Sequence, residues 1–258
     1  MKQISCILIA LATIVAVYGD EPEQLVNGIP ANIEDYPHSV SIRVNNNHIC
    51  GGSIIDKQYI LTAAHCVVPL IRDSKKMQST TVVAGSAYLN SGGKAYKVQR
   101  LWIHENYNPN SPSGRAPYDI GLIKLTSPIQ FGPKVRQIGL PRRNIAENDG
   151  VTIAAWGAMG LGKPIHKNLQ KLYANAMLPQ ECQQYHGNSM LIHNNEFCTL
   201  ISYGTGLCTG DSGSGLLRNS DRTIVGLVSG VRPCAIGYPD VYTNVYTFVP
   251  WIQQKMRL

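Results

Sequence analysis

Cys208-Thr209-Gly210-Asp211-Ser212-Gly213-Ser214-Gly215 decides how this chain is read. One serine stands among small residues, directly after an aspartate. Glycine takes backbone dihedrals closed to other residues and lets a substrate come close. Such a loop can present one hydroxyl and turn backbone N–H groups toward a point beside it. A serine hydroxyl alone is a weak nucleophile, so it needs a base and a group that orients the base. Both occur upstream: His65 in Leu61-Thr62-Ala63-Ala64-His65-Cys66, and Asp119 in Tyr118-Asp119-Ile120-Gly121-Leu122-Ile123. A turn serine, a packed histidine and a loop carboxylate would each be ordinary alone. Together they form a candidate nucleophile, base and orienting acid.

Composition bounds the frame around these motifs. A chain of 258 residues with 44% hydrophobic content can build a large core, as one or two domains. Only 15% of residues are charged, against 24 Gly and 15 Pro, which suits a loop-rich β protein better than a helical one. The net charge of +7 allows a basic surface, but Asp73-Ser74-Lys75-Lys76 is as dense as the basic runs become. Nucleic-acid binding is not expected. Lys2 followed by the apolar residues 4–17 reads as a signal peptide, residues 1–19, cut after Gly19. That run is shorter than the roughly 20 residues that span a bilayer, and no later segment looks transmembrane. The expectation is a secreted, extracellular protein without a membrane partner.

Seven cysteines fall to six once Cys6 leaves with the leader, and six allow 15 pairings that sequence alone does not separate. No Cys/His set has a zinc spacing, and the loop at residues 88–94 lacks the carboxylates of a calcium site. No metal and no cofactor is expected.

The body reads as short strands. Ser39-Val40-Ser41-Ile42-Arg43-Val44 alternates with period 2, and Asn45-Asn46-Asn47 is a turn. Further strands are expected at residues 50–55, 59–62, 80–84, 98–102, 120–125, 151–157, 169–176, 224–229 and 240–245. Residues 106–117 form a long loop rich in Pro, Asn, Ser and Gly. Pro179-Gln180-Glu181-Cys182-Gln183-Gln184-Tyr185 predicts a short helix. A C-terminal helix capped by Thr247 would bury Phe248, Trp251, Ile252 and Met256.

From Leu25 to its end the chain resembles the chymotrypsin/trypsin family of secreted serine proteases. The resemblance rests on the three motifs in the order His, Asp, Ser, and on Trp156-Gly157. It implies an all-β fold, a trypsin-like double six-stranded antiparallel β-barrel with a C-terminal helix. Residues 25–130 and 131–258 would form the two halves of one peptidase domain. It implies a serine endopeptidase with His65, Asp119 and Ser212 as triad and the N–H groups of Gly210 and Ser212 as oxyanion hole. It selects the disulfides Cys50–Cys66, Cys182–Cys198 and Cys208–Cys234. Partners would be protein or peptide substrates, an activating protease and protein protease inhibitors.

Residues 20–24 would be an activation peptide, after whose removal the amine of Leu25 pairs with Asp211. Gln24 stands where trypsin-type activation needs Lys or Arg, which calls for a different activator or implies inefficient activation. Gly206, Ser229, Gly230, Val231 and Asp240 map to the substrate pocket. Gly206 replaces the aspartate of trypsin-like relatives, Gly230 an aromatic shelf, and Val231 a wall glycine that elastase-like relatives also lack. Uncharged residues, cut in a chymotrypsin-like or elastase-like manner, are the expected preference, with the charge of Asp240 opposing it. Ser214 replaces a second glycine and would be strained at a positive φ. With the missing shelf, this keeps open an alternative: a catalytically weak homologue acting as a binding or effector protein.

Overall fold

The computed structural model describes residues 25–111, 116–230 and 234–258. A two-residue strand β1 (Ile29–Pro30) precedes a closed barrel of six antiparallel strands: β2 (Ser39–Val44), β3 (Asn47–Ile54), β4 (Tyr59–Thr62), β5 (Thr80–Ala84), β6 (Lys94–Ile103) and β7 (Gly121–Leu125). Around the barrel the order is β2-β3-β4-β7-β6-β5. Asn45 and Asn46 both take positive φ, 49° and 66°. A two-residue hairpin turn needs this, and asparagine tolerates it.

The second half repeats the device. Strands β8 (Gly150–Ala155), β9 (Gln170–Met177), β10 (Glu196–Thr199), β11 (Gly215–Arg218), β12 (Ile224–Gly230) and β13 (Asp240–Asn244) run β9-β10-β13-β12-β11-β8, and β8 pairs back onto β9. Two closed six-stranded barrels result. The N-terminal segment crosses over: β1 pairs with β9, and Leu25 is buried among Ile153, Phe197, Leu216 and Tyr242 of the second barrel.

Each barrel fills with the inward members of its alternating strands. The first holds Val40, Ile42, Ile54, Ile60, Val82 and Ile123. A third apolar cluster lies between the barrels, joining Leu61, Trp102 and Leu122 to Trp156, Leu217 and Leu227. Helix α4 (Val249–Met256) adds Trp251 and Ile252 to it, and Phe248 joins them from just before the helix. Thr247 does not cap this helix. Its hydroxyl donates to the Asn244 carbonyl, while the Asn244 side chain accepts from Tyr246 N and caps the short 3₁₀ turn ahead of α4.

Two helices escaped the sequence reading, α1 (Ala64–Arg72) and α2 (Ser74–Gln78). Pro69 inside α1 argues against a helix, because it removes one donor. The apolar face of Cys66, Val67, Val68 and Leu70 is nevertheless buried. The expected short helix is present as α3 (Pro179–His186), with proline in its first turn. Disulfides join Cys50–Cys66, Cys182–Cys198 and Cys208–Cys234. Among the described residues no helix is long and apolar enough to cross a membrane.

Candidate active site

His65 is the second residue of α1, braced at the next position by the Cys50–Cys66 bridge to β3. Asp119 precedes β7 and is buried. The two meet twice. His65 Nδ1 lies 2.7 Å from Asp119 Oδ2, and the His65 backbone N–H donates to Oδ1 at 2.9 Å. Burial works against charge on His65, but the Asp119 carboxylate and its hydrogen bond outweigh this and raise the imidazole pKa. Burial likewise disfavours the Asp119 charge, and His65 with Ser229 overcomes it and lowers that pKa.

Ser229 was expected in the pocket wall. Its hydroxyl donates to Asp119 Oδ2 at 2.7 Å, a role beyond that expectation. The pairing of β12 with β13 shifts register between Val228 and Gly230, leaving Ser229 as the extra residue of a bulge. A bulge re-aims a side chain that a regular ladder would fix. Thr243 adds a 2.8 Å bond to the Asp119 carbonyl. No sequence motif signals these two partners.

Ser212 is half-buried in the turn between Cys208 and β11. Its carbonyl accepts from Gly51 N of β3 at 2.8 Å, and Gly213 N donates to Val228 O at 2.9 Å. The nucleophile turn is thus tied to both barrels. Gly213 has φ +74°, and a Cβ there would collide with Thr62 Oγ1 and approach Ala63 N, three and two residues before His65. Only glycine lets the serine turn press this closely against the histidine segment. Ser214 is not among the positive-φ residues, so the anticipated strain is absent. Its side chain occupies the space left by the missing Cβ of Gly51.

The N–H groups of Gly210 and Ser212 donate to no protein acceptor among the described residues. The Gly210 carbonyl is held from behind by His48 Nε2 at 2.9 Å, and His48 Nδ1 faces Ser41 Oγ at 2.8 Å. Arg43 Nε donates to the same Ser41 oxygen at 3.0 Å. Burial lowers the His48 pKa to about 4, so it is neutral, with its proton on Nε2 and Nδ1 accepting from Ser41. Sequence reading missed His48, which lies in no recognisable motif.

Asp211 points inward and is fully buried, accepting from Gly157 N at 2.7 Å and Cys208 N at 2.9 Å. Burial pushes its carboxyl up to about 7 against these bonds, with Asp240 adding to the rise. Gly157 leaves the room: a Cβ there would overlap the Asp211 carboxyl group.

Gly206 and Asp240 are brought together. Asp240 Oδ2 stands 2.9 Å from where a Cβ on Gly206 would sit, and accepts from Leu207 N at 2.9 Å. Burial raises this carboxyl to about 7, with the Leu207 bond opposing. Gly230 ends β12 beside Ser229. Val231 lies outside the described residues.

This architecture is the trypsin-like fold of a serine endopeptidase. The Trypsin family matches residues 25–252, and the chain belongs to that family. It is 38% identical to Chymotrypsin-2 of Vespa crabro, over 90% of this chain and 99% of that protein. To Trypsin beta of Drosophila erecta it is 33% identical, over 89% and 87%. Among solved structures it is similar to neuropsin, a serine protease expressed in the limbic system of mouse brain. The TM-score is 0.78 at 25% identity, covering 89% of this chain and 98% of that one.

Proposed function

We propose that the chain is a secreted precursor whose cut form hydrolyses peptide bonds through Ser212, mainly after uncharged apolar side chains. The pairing of His65 with a buried, triply held Asp119, next to a serine turn with two unused N–H donors, carries the proposal. Neutral His65 takes the Ser212 proton as the oxygen attacks the scissile carbonyl. Asp119 holds the imidazole with Nδ1 protonated and stabilises the cation. The Gly210 and Ser212 N–H groups receive the oxyanion, each such donor contributing roughly 2.7–4 kcal/mol in the transition state. The imidazolium then protonates the leaving amine, and the same histidine activates water against the acyl-enzyme.

Residues 1–19 act as leader and 20–24 as activation peptide in this reading. Asp211, a buried carboxylate met among the described residues only by backbone N–H groups, is the acceptor for the amine that cleavage before Leu25 releases. Such a pair acts as a switch more than as a source of stability.

For specificity, Gly206 offers no charge, and the similarity to a chymotrypsin supports apolar substrates. The Asp240 carboxyl at the pocket base is half-protonated near neutrality, so it admits Lys or Arg only as pH rises. Profiling the activated protein on a peptide library at pH 6, against a Ser212→Ala control, tests this. Dominant cleavage after Leu, Met, Ala, Val, Phe or Tyr is expected. Dominant cleavage after Lys and Arg at that pH would overturn the specificity.

A further inference from the structure

The residue before Asp119 is held in an unfavourable conformation. Tyr118 has φ +64°, a left-handed value that side chains with a Cβ rarely adopt and bulky ones adopt least. Its carbonyl accepts from Ile120 N at 2.8 Å, so Asp119 is the centre of a three-residue turn. Nothing in that turn relieves Tyr118. Its ring, however, is packed against two others that also touch each other. It stacks on His104 with centroids 5.0 Å apart and planes 22° apart, and meets Phe248 edge-on at 6.0 Å.

His104 is also the other bracket of the turn. Its backbone N donates to Ile120 O at 3.1 Å, and its Nδ1 accepts from Asn106 N at 3.2 Å. The imidazole therefore presents its face to Tyr118 in one tautomer. Phe248 at 5.2 Å and Trp251 at 5.5 Å also pack against it. Trp251 Nε1 donates to Glu105 Oε2 at 2.9 Å, and Glu105 also pairs with Lys255 of α4. The rings line a cleft of about 580 Å³, so an unstacked Tyr118 has room to move.

We infer that His104, Tyr118 and the Trp251 end of α4 form an aromatic clamp that positions the Asp119 carboxylate against His65. This rests on the reading of Asp119 as the triad acid. The clamp contributes no charge and touches no substrate. It keeps Tyr118 left-handed, and with it the direction in which the next side chain leaves the backbone. If the stack is lost, Tyr118 relaxes, the turn opens and the carboxylate swings away from Nδ1. Small displacements of this kind cost large factors in rate, because the reacting groups lose their alignment.

The experiment uses activated enzyme carrying Tyr118→Ala, Tyr118→Phe, His104→Ala or His104→Phe. Rates are expressed per active site titrated with a serine-directed reagent. Tyr118→Ala and His104→Ala should lower kcat about tenfold on a short peptide substrate, with KM changed less than twofold. The acid limb of kcat/KM should move down, because His65 loses support from Asp119. The two Phe variants keep a stackable ring and should stay within about twofold of the parent. Unchanged kcat and unchanged limb in titrated Ala variants, with only a lower melting temperature, would reduce the cluster to ordinary packing and overturn the inference. If an Ala variant does not fold, His104→Leu keeps apolar bulk without a ring and reads the same quantities. A parent that cleaves peptides but fails to titrate at Ser212 refutes the triad reading instead, which separates the two failures.

Discussion

Asp240 gives the specificity account its most quantitative consequence. Its carboxyl reaches the space above Gly206, is anchored by Leu207 N, and has its pKa raised to about 7 by burial. The neighbouring titratable groups are Asp211, which feels the Asp240 charge, and Tyr242, which stays protonated throughout. With that pKa, about one Asp240 in eleven is ionised at pH 6 and about ten in eleven at pH 8. The kcat/KM ratio for a Lys substrate over its Leu counterpart should therefore rise about tenfold across this window. Titration of His65 acts on both substrates and cancels in the ratio. The assay is a matched pair of chromogenic tripeptides, run at half-unit pH steps with parent enzyme and Asp240→Asn. The variant keeps an acceptor for Leu207 and should show a flat, low ratio. A ratio that is flat in the parent, or a rise that survives in Asp240→Asn, would refute the reasoning.

Other residues give further checks. Gly213→Ala adds a Cβ at φ +74° against Thr62 and Ala63; left-handed strain and overpacking together should cost about 2–4 kcal/mol, read as a lower melting temperature, and an unchanged one contradicts the packing account. Ser229→Ala removes a donor from a buried carboxylate, an interaction of about 1.5–3 kcal/mol, so kcat should fall at least about tenfold; the parent's kcat/KM should rise with pH through a limb above 6.5, because neutral His65 is the base and its pKa is raised. In the uncut chain, Asp211 binds its proton more tightly folded than unfolded, so its stabilising contribution is full below about 4 and lost as pH rises through about 7. Chemical denaturation should therefore show the precursor losing stability between pH 5 and 8, with a smaller loss in Asp211→Asn; equal slopes contradict this.

The sequence carried much of this, but unevenly. Strand β2 was legible to the residue because its alternation faces one core, and the Asn-Asn turn supplied the hairpin. Strands β10 and β11 were not, since Glu196–Thr199 and Gly215–Arg218 are four-residue segments buried throughout, with no alternation to read. Helix α1 was hidden by Pro69, whose local cost is outweighed by tertiary burial of the neighbouring apolar residues. The three reactive side chains stood in motifs. The supporting roles did not show there, because His48, Ser229 and Thr243 act through contacts between residues 110–162 positions apart, Ser229 also through a bulge, and Tyr118 through a dihedral. The doubt over Ser214 could be settled only by its φ.

The central claim is that Ser212 is the nucleophile. Protein cut before Leu25 is treated with a phosphonylating reagent and its intact mass is measured, followed by peptide mapping. The account predicts one adduct, on Ser212, with loss of peptide hydrolysis in proportion to labelling and no adduct in Ser212→Ala. Folded, cut protein that cleaves peptides while Ser212 stays unlabelled, or that keeps its activity as Ser212→Ala, would contradict it.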